Sequence, residues 1–264
     1  MSTPNAIIEV RDLVTQYGTR RILDGVSLRV PEGLVTVILG GSGSGKSTLL
    51  RHLIGLQRPS GGQILVKGRD LSPMTPDELV EMRKRMGILF QSGALFNSMT
   101  VGENVALPLQ EHTRLEESTI QIMTRIKLQL VGLAGFEDFM PAQLSGGMKK
   151  RAGLARAIAM DPEILFFDEP SAGLDPLTAA ALDELILRLK QTFRMTILVV
   201  THELPSVFAI ADHVVMLMNG KVLTEGSLDD LRASTDPRVQ DFLARRPAPE
   251  SEDAEAYLRS LVGT

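Results

Sequence analysis

A glycine-rich segment, residues 40–47, constrains the fold of this chain more than any other part of its sequence. It reads Gly-Gly-Ser-Gly-Ser-Gly-Lys-Ser and matches the pattern G-x-x-x-x-G-K-[ST]. An apolar run, Leu34 to Leu39, directly precedes it, and a helical pattern from Ser47 to Leu56 follows. In such a loop the backbone curls until its N–H groups point at phosphate oxygens, and the positive end of the following helix adds to their attraction. The segment therefore predicts a nucleoside triphosphate bound between a buried strand and a helix.

The side chains of this loop are predicted to have separate roles. Lys46 is expected to reach the β- and γ-phosphates, and Ser47 is expected to bind Mg²⁺. The remaining residues expected to contact the nucleotide are Gly40, Gly41, Ser42, Gly43, Ser44, Gly45 and Thr48. A dinucleotide-binding loop would require glycine at position 46, where this chain has lysine. A flexible turn without a ligand is the other alternative, although the strand and helix on either side disfavour it.

A second candidate segment, Ile164 to Glu169, is an apolar run that ends in two carboxylates. Asp168, at the end of the predicted strand, is expected to hold Mg²⁺ through its water shell. Glu169 is expected to act as a general base or to polarise the attacking water. Taken alone, a buried strand followed by a solvated Asp-Glu turn explains this segment equally well.

Residues 144–148 read Leu-Ser-Gly-Gly-Met and follow the same physical logic as the first loop. Ser145 is placed to cap a helix, while Gly146 and Gly147 allow close approach of the backbone, so the helix N-terminus presents N–H donors to an anion. The segment resembles the LSGGQ signature of the ABC ATPase family. This resemblance implies that ATP binds between two copies of the chain arranged head to tail. Each signature would then face the γ-phosphate held by the other copy.

Further motifs of this family occur in order over roughly residues 6 to 226. The resemblance implies that Tyr17 stacks on adenine, that Gln91 contacts Mg²⁺ and that residues 171–175 form the D-loop, with Asp175 beside the nucleotide. It implies that His202, after Thr201, is the switch histidine, and that ATP and Mg²⁺ are the cofactors. The residues assigned to catalysis are Lys46, Gln91, Glu169 and His202, and those assigned to the metal are Ser47, Gln91 and Asp168. Each motif alone has a plainer alternative, namely a turn for Tyr17, a solvated loop for Gln91 and a structural role for His202.

The alternation of short apolar runs with helical stretches is typical of an α/β fold. Strands are predicted at Ile7–Leu13, Val26–Val30, Leu34–Leu39, Ile164–Phe167 and Met195–Val200, and helices at Ser47–Leu56, Leu115–Leu130, Ser145–Met160, Leu177–Phe193, Leu228–Ala233 and Asp236–Arg245. The continuously apolar strands suit a parallel sheet buried on both faces. The family resemblance implies a P-loop NTPase fold, a RecA-like core sheet with an N-terminal antiparallel β region, plus a helical subdomain. We expect residues 1–91 and 160–226 to form the ATP-binding core, 92–159 the helical signature subdomain, and 227–264 a C-terminal extension that contacts the dimer or a partner.

Composition limits the partners and the compartment. The net charge is −4 and long Lys/Arg runs are absent, so nucleic acid is not an expected partner. The absence of cysteine excludes disulfides, thiolate zinc sites and Fe–S clusters, and it agrees with a reducing compartment such as the cytosol. Neither a secretory leader in Met1 to Val10 nor a run of about 18 apolar residues is evident. We therefore expect membrane association only through another protein.

Three segments narrow the resemblance further. Gln91 to Phe96 reads QSGALF, Leu144 to Met148 ends in Met where the family usually has Gln, and Asp236 to Leu243 reads DPRVQDFL. Together they resemble the ATPase subunit of Mla-type (maintenance of lipid asymmetry) phospholipid transporters. This resemblance implies a complex of two ATPases, two permease subunits, an MCE-domain ring and often a small STAS-domain protein. The ATPase would lie on the cytoplasmic face of the inner membrane and power phospholipid movement between the membranes of a Gram-negative envelope.

Other functions remain open on the sequence alone. An ABC transporter ATPase for another substrate is the first alternative, and a soluble ABC ATPase of DNA repair or translation is the second. The second is disfavoured because Ser47 and Ser145 lie only 98 positions apart, whereas chromosome-type members insert a long coiled coil there. Translation factors carry two tandem cassettes, and this chain has one.

Two surfaces are expected to contact partners. Residues 94–96, Ala-Leu-Phe, together with Met99 supply apolar groups for a permease helix, with the core of the helical subdomain as the alternative. Asp236 to Leu243 and Tyr257 to Val262 are expected to dock on the opposite copy, because they place apolar residues on an otherwise polar tail.

Overall fold

The structure, a computed structural model, describes residues 5–246. The strands are β1 (Ala6–Tyr17), β2 (Arg20–Pro31), β3 (Val35–Leu39), β4 (Gly61–Val66), β5 (Arg69–Asp70), β6 (Met86–Leu89), β7 (Ile164–Asp168), β8 (Thr196–Thr201), β9 (His213–Met218) and β10 (Lys221–Ser227). The helices are α1 (Lys46–Leu53), α2 (Pro76–Arg83), α3 (Val101–His112), α4 (Glu117–Leu130), α5 (Gly146–Ala157), α6 (Pro176–Phe193), α7 (Leu204–Ile210), α8 (Leu228–Ala233) and α9 (Pro237–Leu243), with a 3₁₀ turn at Pro141–Gln143. The predicted docking segment Tyr257 to Val262 lies outside the described residues.

A six-stranded sheet in the order β10-β9-β3-β8-β7-β6 forms the centre of the fold. Its strands are parallel except β10, which runs antiparallel to β9. Every residue of β3 is buried, and Val37 and Leu39 face one hydrophobic cluster while Ile38 faces the other. A strand that is apolar on both faces fits a sheet covered on both sides, which confirms the predicted parallel α/β sheet.

A four-stranded antiparallel sheet, in the order β2-β1-β4-β5, covers one face of the central sheet. It shares a hydrophobic cluster with Leu49 of α1 and Phe166 of β7. This confirms the N-terminal antiparallel β region. β1 and β2 continue up to the turn at Gly18, so they are longer than the predicted runs Ile7–Leu13 and Val26–Val30.

Helices α3 to α7 cover the other face of the central sheet and share its second hydrophobic cluster. α3 begins with a capping box, in which the Thr100 hydroxyl accepts from the Glu103 N–H and the Glu103 carboxylate accepts from the Thr100 N–H. α3, α4 and α5 pack on one another in the region predicted to be helical. Within residues 5–246, none of the helices combines the length and the apolar character that a bilayer crossing requires.

Four predicted helices are shorter than expected, and two of them are α5, which covers Gly146–Ala157, and α9, which covers Pro237–Leu243. The helix predicted from Leu115 starts at Glu117, because the N-cap residue Glu116 is extended. The helix predicted up to Leu56 ends at Leu53, since Gly55 follows it in the left-handed region with φ 69°. The elements that were not predicted are strands β4, β5, β6, β9 and β10 and helices α2, α3 and α7, although α3 lies in the region expected to be helical.

The short helix α9 packs on its own chain. Val239 is fully buried in the same cluster as the central sheet, and Phe242 and Leu243 pack against that cluster. Val239 is therefore not a stranded apolar residue. The reason for expecting Asp236 to Leu243 to dock on a second copy does not hold for it.

The carboxyl ends of three neighbouring parallel strands meet at one edge of the central sheet. Leu39 at the end of β3 pairs with Thr201 at the end of β8, so Gly40 and His202, which follow them, emerge side by side. Asp168 ends β7 next to them. In open parallel sheets this edge is where ligands bind.

Candidate nucleotide-binding site

The loop of residues 40–45 joins β3 to α1, and two of its glycines are required by close contacts. A Cβ atom at Gly40 would lie 2.2 Å from the carbonyl oxygen of Leu217 in β9. Gly45 is the N-cap of α1 with φ 104°, and a Cβ atom there would lie 2.7 Å from Cδ2 of Leu23. The backbone of the loop can therefore follow its path only without side chains at these positions, as predicted for a phosphate-binding loop.

Lys46 begins α1 and is 7% exposed. Its Nζ donates to the carbonyl oxygens of Gly40 and Gly41 at 2.8 and 2.9 Å. Burial lowers the pKa of Lys46, and the negative charges of Glu169 and Asp168 act in the opposite direction. Lys46 is thus close enough to Glu169 and Asp168 for their charges to affect its pKa. Its ammonium group contacts the loop that is predicted to bind phosphates.

Asp168 is the candidate metal residue, and its Oδ1 atom is buried without a hydrogen-bond partner among the described residues. Burial raises the pKa of Asp168, as does the negative charge of Glu169, while Arg51 and Lys46 lower it. Ser47 is exposed on the first turn of α1. Residues 5–246 contain no group of three His, Cys, Asp or Glu residues that could enclose a metal. Asp168 and Ser47 fit Mg²⁺, because this ion keeps several waters and binds substrate phosphates rather than requiring an all-protein cage.

Glu169 and His202 meet at the same edge. The Glu169 carboxylate accepts hydrogen bonds from His202 Nδ1 at 2.9 Å and from the Thr201 hydroxyl at 3.2 Å. The Glu169 backbone is in the left-handed region with φ 47°, and its N–H donates to the carbonyl oxygen of Val200 at 2.9 Å. The structure thus brings together the predicted general base and the predicted switch histidine, which are 33 positions apart.

Ser145 caps α5, as predicted, with its hydroxyl accepting the Met148 N–H at 3.3 Å. Ser145 and Gly146 are exposed, and no hydrogen bond within residues 5–246 joins residues 144–147 to the loop 40–47. In the described part of the chain, the two predicted phosphate-binding segments are therefore not tied to each other by hydrogen bonds. A Cβ atom at Gly147 would lie 2.6 Å from Cγ2 of Thr178, so this glycine also allows α5 to pack on α6.

The other predicted site residues lie at exposed positions. Asp175 caps α6 and accepts from the backbone N–H groups of Leu177 and Thr178. Tyr17, at the end of β1, is 51% exposed, and its hydroxyl donates to Gln57 Oε1 at 2.8 Å. Gln91 is exposed two residues after β6 and has no side-chain hydrogen bond within the described chain. These positions leave all three side chains accessible to a ligand or a second chain.

One charged residue near the site was not identified from the sequence. Lys150 lies on α5 and is 6% exposed, and its Nζ donates to the carbonyl oxygens of Glu169, Pro170 and Ala172. Its partners are backbone atoms about 20 positions away, so no motif or spacing in the sequence points to them. The only sequence signal is a lysine on a helix whose neighbouring turns are apolar.

Known proteins resemble this chain over nearly all of it. The sequence pattern of the ABC transporter family matches residues 23–172. The intermembrane phospholipid transport system ATP-binding protein MlaF of Escherichia coli (strain K12) is 44% identical over 97% of this chain and 96% of its own length. The probable ribonucleotide transport ATP-binding protein mkl of Mycobacterium leprae is 46% identical over 92% of this chain and 70% of its own length. A dimeric, post-hydrolysis structure of the ATP-binding cassette MJ0796 bound to ADP and Pi is 30% identical and superposes with a TM-score of 0.77, covering 84% of this chain and 98% of that one.

Proposed function

This chain belongs to the ABC transporter family and is an ATPase of that family, and we propose that it powers the movement of phospholipids between the membranes of a Gram-negative envelope. Its relative MlaF is named for intermembrane phospholipid transport and agrees with this chain over almost the whole length of both. The relative mkl, named for ribonucleotide transport, is as similar in identity but has a further 30% of its length without a counterpart here. Because this chain and MlaF match over almost their full lengths, the comparison favours phospholipid as the substrate. Transport of another substrate is the alternative.

The hydrolytic reaction is assigned to the edge where β3, β7 and β8 end. Residues 40–46 bind the phosphates through backbone N–H groups and the Lys46 ammonium. The observation that carries the proposal is the Glu169 carboxylate, which is held by Thr201 and His202 beside this loop. Glu169 takes a proton from the attacking water, and His202 keeps its carboxylate oriented.

Mg²⁺ is proposed as the second cofactor besides ATP. Ser47, Gln91 and Asp168 would hold it, and the buried, unpartnered Oδ1 of Asp168 is the atom best suited to a metal-bound water. When bound, the ion would neutralise part of the negative charge on the phosphates. Tyr17 is proposed to contact the adenine, since half of its side chain is open to solvent.

A second copy of the chain is the proposed partner at the nucleotide. Ser145 and Gly146 are exposed, and within residues 5–246 neither forms a hydrogen bond with the loop 40–47 of its own chain. The related cassette bound to ADP and Pi is dimeric. We propose that residues 145–147 and Asp175 of one copy complete the site of the other. Residues 92–159 would then form the signature subdomain between the two core segments, 1–91 and 160–226.

The remaining proposed partners are an integral permease, an MCE-domain protein and a small STAS-domain protein, which place the chain on the cytoplasmic face of the inner membrane. For the permease contact, Phe96 is 51% exposed and lies under the guanidinium of Arg156, 5.7 Å from its ring centre, whereas Leu95 packs on the core. The exposure of Phe96 therefore favours a contact with the permease, whereas the packing of Leu95 favours the alternative, a role in the core of the helical subdomain.

The proposed base is tested by Glu169→Gln, which keeps the shape of the side chain and its contact with Thr201. We expect ATP turnover to fall by about 100-fold or more, as for the loss of a general base, while ATP remains bound and traps a dimer visible by size-exclusion chromatography. Glu184→Gln, at an exposed position of α6, is the matched control. Near-normal turnover of Glu169→Gln would contradict the assignment.

The proposed substrate is tested with the purified transporter in proteoliposomes. We expect the chain to co-purify with a multi-span permease and an MCE-domain protein, and ATP to drive transfer of labelled phospholipid out of the bilayer in the parent but not in Glu169→Gln. ATP-dependent uptake of ribonucleotides without lipid transfer would support the alternative substrate. Co-purification with ribosomes or DNA instead of a permease would contradict a transport function.

A further inference from the structure

The buried lysine Lys150 makes an unusual set of contacts. Its three ammonium protons are donated to the carbonyl oxygens of Glu169 at 3.2 Å, Pro170 at 2.5 Å and Ala172 at 2.9 Å. An ammonium has three donors and no acceptor, so this side chain is fully satisfied by the backbone of one short segment. That segment begins with the proposed catalytic base.

The segment held by Lys150 has a backbone shape that needs support. Glu169 has φ 47°, a left-handed conformation that costs free energy for any residue with a side chain. On one side its N–H is bound by Val200 of β8, and on the other its carbonyl oxygen is bound by Lys150 and by the N–H of Ala172. The direction of the Glu169 carboxylate depends on this backbone, so Lys150 is one of the few groups that determine it.

The neighbours of Lys150 on α5 do not share this role. Arg151 donates to the carbonyl oxygen of Val131, within the helical layer, and Lys149 makes no side-chain hydrogen bond in the described part of the chain. Burial lowers the pKa of Lys150, and the negative charge of Glu169 acts to raise it. A buried ammonium is costly unless it is fully hydrogen-bonded, and an apolar side chain would suffice merely to pack α5.

We propose that Lys150 is a positioning residue for ATP hydrolysis, which fixes the backbone of Glu169 to the helix that carries Ser145. The proposal rests on the proposed function, in which Ser145 meets the nucleotide held by a second copy. Ser145 and Lys150 are five residues apart on one helix, a rise of about 7.5 Å, over which an α-helix moves as a rigid body. Closure of α5 on the nucleotide of one site would thereby set the base of the other site, so that the two sites of a dimer are coupled.

The first test separates catalysis from binding. Lys150→Met keeps the length of the side chain and removes its donors, and Lys150→Arg keeps donors. We expect kcat of the full chain to fall by about 10- to 100-fold in Lys150→Met, the usual cost of a misplaced catalytic group, with unchanged affinity for a fluorescent ATP analogue. Lys150→Arg should restore most of kcat, and Lys149→Met should match the parent. Unchanged kcat in Lys150→Met, or failure of Lys150→Arg to restore it, would overturn the proposal.

The second test shows on which site Lys150 acts. In the Glu169→Gln background, adding Lys150→Met should leave the ATP-trapped dimer intact. The trapped dimer depends on contact of residues 145–147 with the nucleotide and not on the position of residue 169. Loss of the dimer would instead assign Lys150 to the signature and overturn the proposal. If Glu169→Gln alone traps no dimer, the proposed head-to-tail site fails, while the kcat and affinity measurements on Lys150 still decide its positioning role. Thermal melting monitors folding, and Lys150→Gln replaces Lys150→Met if the latter unfolds.

Discussion

Replacing Gly40 by alanine tests whether the path of the phosphate-binding loop is imposed by its neighbours. Gly40 follows β3 directly, and β3 is paired with β9. A Cβ atom at Gly40 would lie 2.2 Å from the carbonyl oxygen of Leu217 and 2.8 Å from Oγ of Ser44. Ser44 can rotate its hydroxyl away, whereas Leu217 O belongs to the backbone of a central strand. The loop therefore has to move away from β9.

The size of the effect follows from overpacking in a rigid environment. Inserting a methyl group where it cannot be accommodated typically costs about 1–3 kcal/mol of stability. The same movement displaces the N–H groups that are proposed to bind phosphates, and a loss of about 1.4 kcal/mol there weakens ATP binding about tenfold. Gly41→Ala is the matched control for stability, because a Cβ atom at Gly41 has no neighbour within 4 Å.

The assay is urea unfolding of both variants without nucleotide, so that ligand contacts do not contribute. We expect Gly40→Ala to unfold at a lower urea concentration than the parent and Gly41→Ala to unfold with the parent. Titration with a fluorescent ATP analogue then measures the change in affinity of Gly40→Ala. Equal stability of the two variants would refute the argument that the Leu217 carbonyl fixes the loop.

Two further predictions concern buried titratable groups. Burial lowers the pKa of His52, whose Nδ1–H donates to the Gln57 carbonyl and whose Nε2 accepts from the Thr15 hydroxyl. Below about pH 6.5 the unfolded chain therefore takes up a proton that the folded chain does not. The free energy of unfolding is then lost as the pH falls, by at most about 1.4 kcal/mol per pH unit. The urea midpoints at pH 5 and pH 7.5 should differ less for His52→Gln than for the parent, and an equal difference in both proteins would contradict this. Asp168→Asn removes the charge of a half-buried carboxylate whose Oδ1 is buried without a hydrogen-bond partner among the described residues. This variant should therefore melt at or above the parent temperature in EDTA, while the Mg²⁺ concentration needed for half-maximal ATPase activity rises about 10- to 100-fold. A lower melting temperature in EDTA would show that the carboxylate is stabilised by the fold.

The predicted strands all have a clear apolar pattern, alternating in β1 and β2 and nearly continuous in β3, β7 and β8. β9 is also apolar and buried on both faces, yet it is not among the predicted strands. β3, β7 and β8 are continuous apolar runs, and the structure places alternate residues of each in the two hydrophobic clusters. β4 begins with Gly61 and Gly62, which have low strand propensity, and β6 has only four residues. Such strands exist because neighbouring strands pair with them, and this pairing does not leave a pattern in their own residues.

The candidate site was predictable where a local motif places its residues, and not where a long-range contact does. The loop 40–47 could be identified because its glycines and Lys46 act within eight consecutive residues. The contact between Glu169 and His202 could be anticipated only by resemblance, since it depends on β7 and β8 being adjacent and parallel. The contacts of Lys150 could not be predicted from the sequence, because its partners are main-chain oxygens, which every residue has.

Gly147 shows why a motif can be recognised correctly and still be explained incompletely. From the sequence, this glycine is predicted to allow close approach of the backbone to a phosphate. In the structure, a Cβ atom at Gly147 would also collide with Thr178, at 2.6 Å from Cγ2. Thr178 is itself fixed, since its N–H and hydroxyl both bind Asp175, the cap of α6. The absence of a side chain at 147 thus sets how closely α5 approaches α6. The predicted signature, residues 145–147, and the predicted D-loop, residues 171–175, are therefore positioned relative to each other by contacts within one chain.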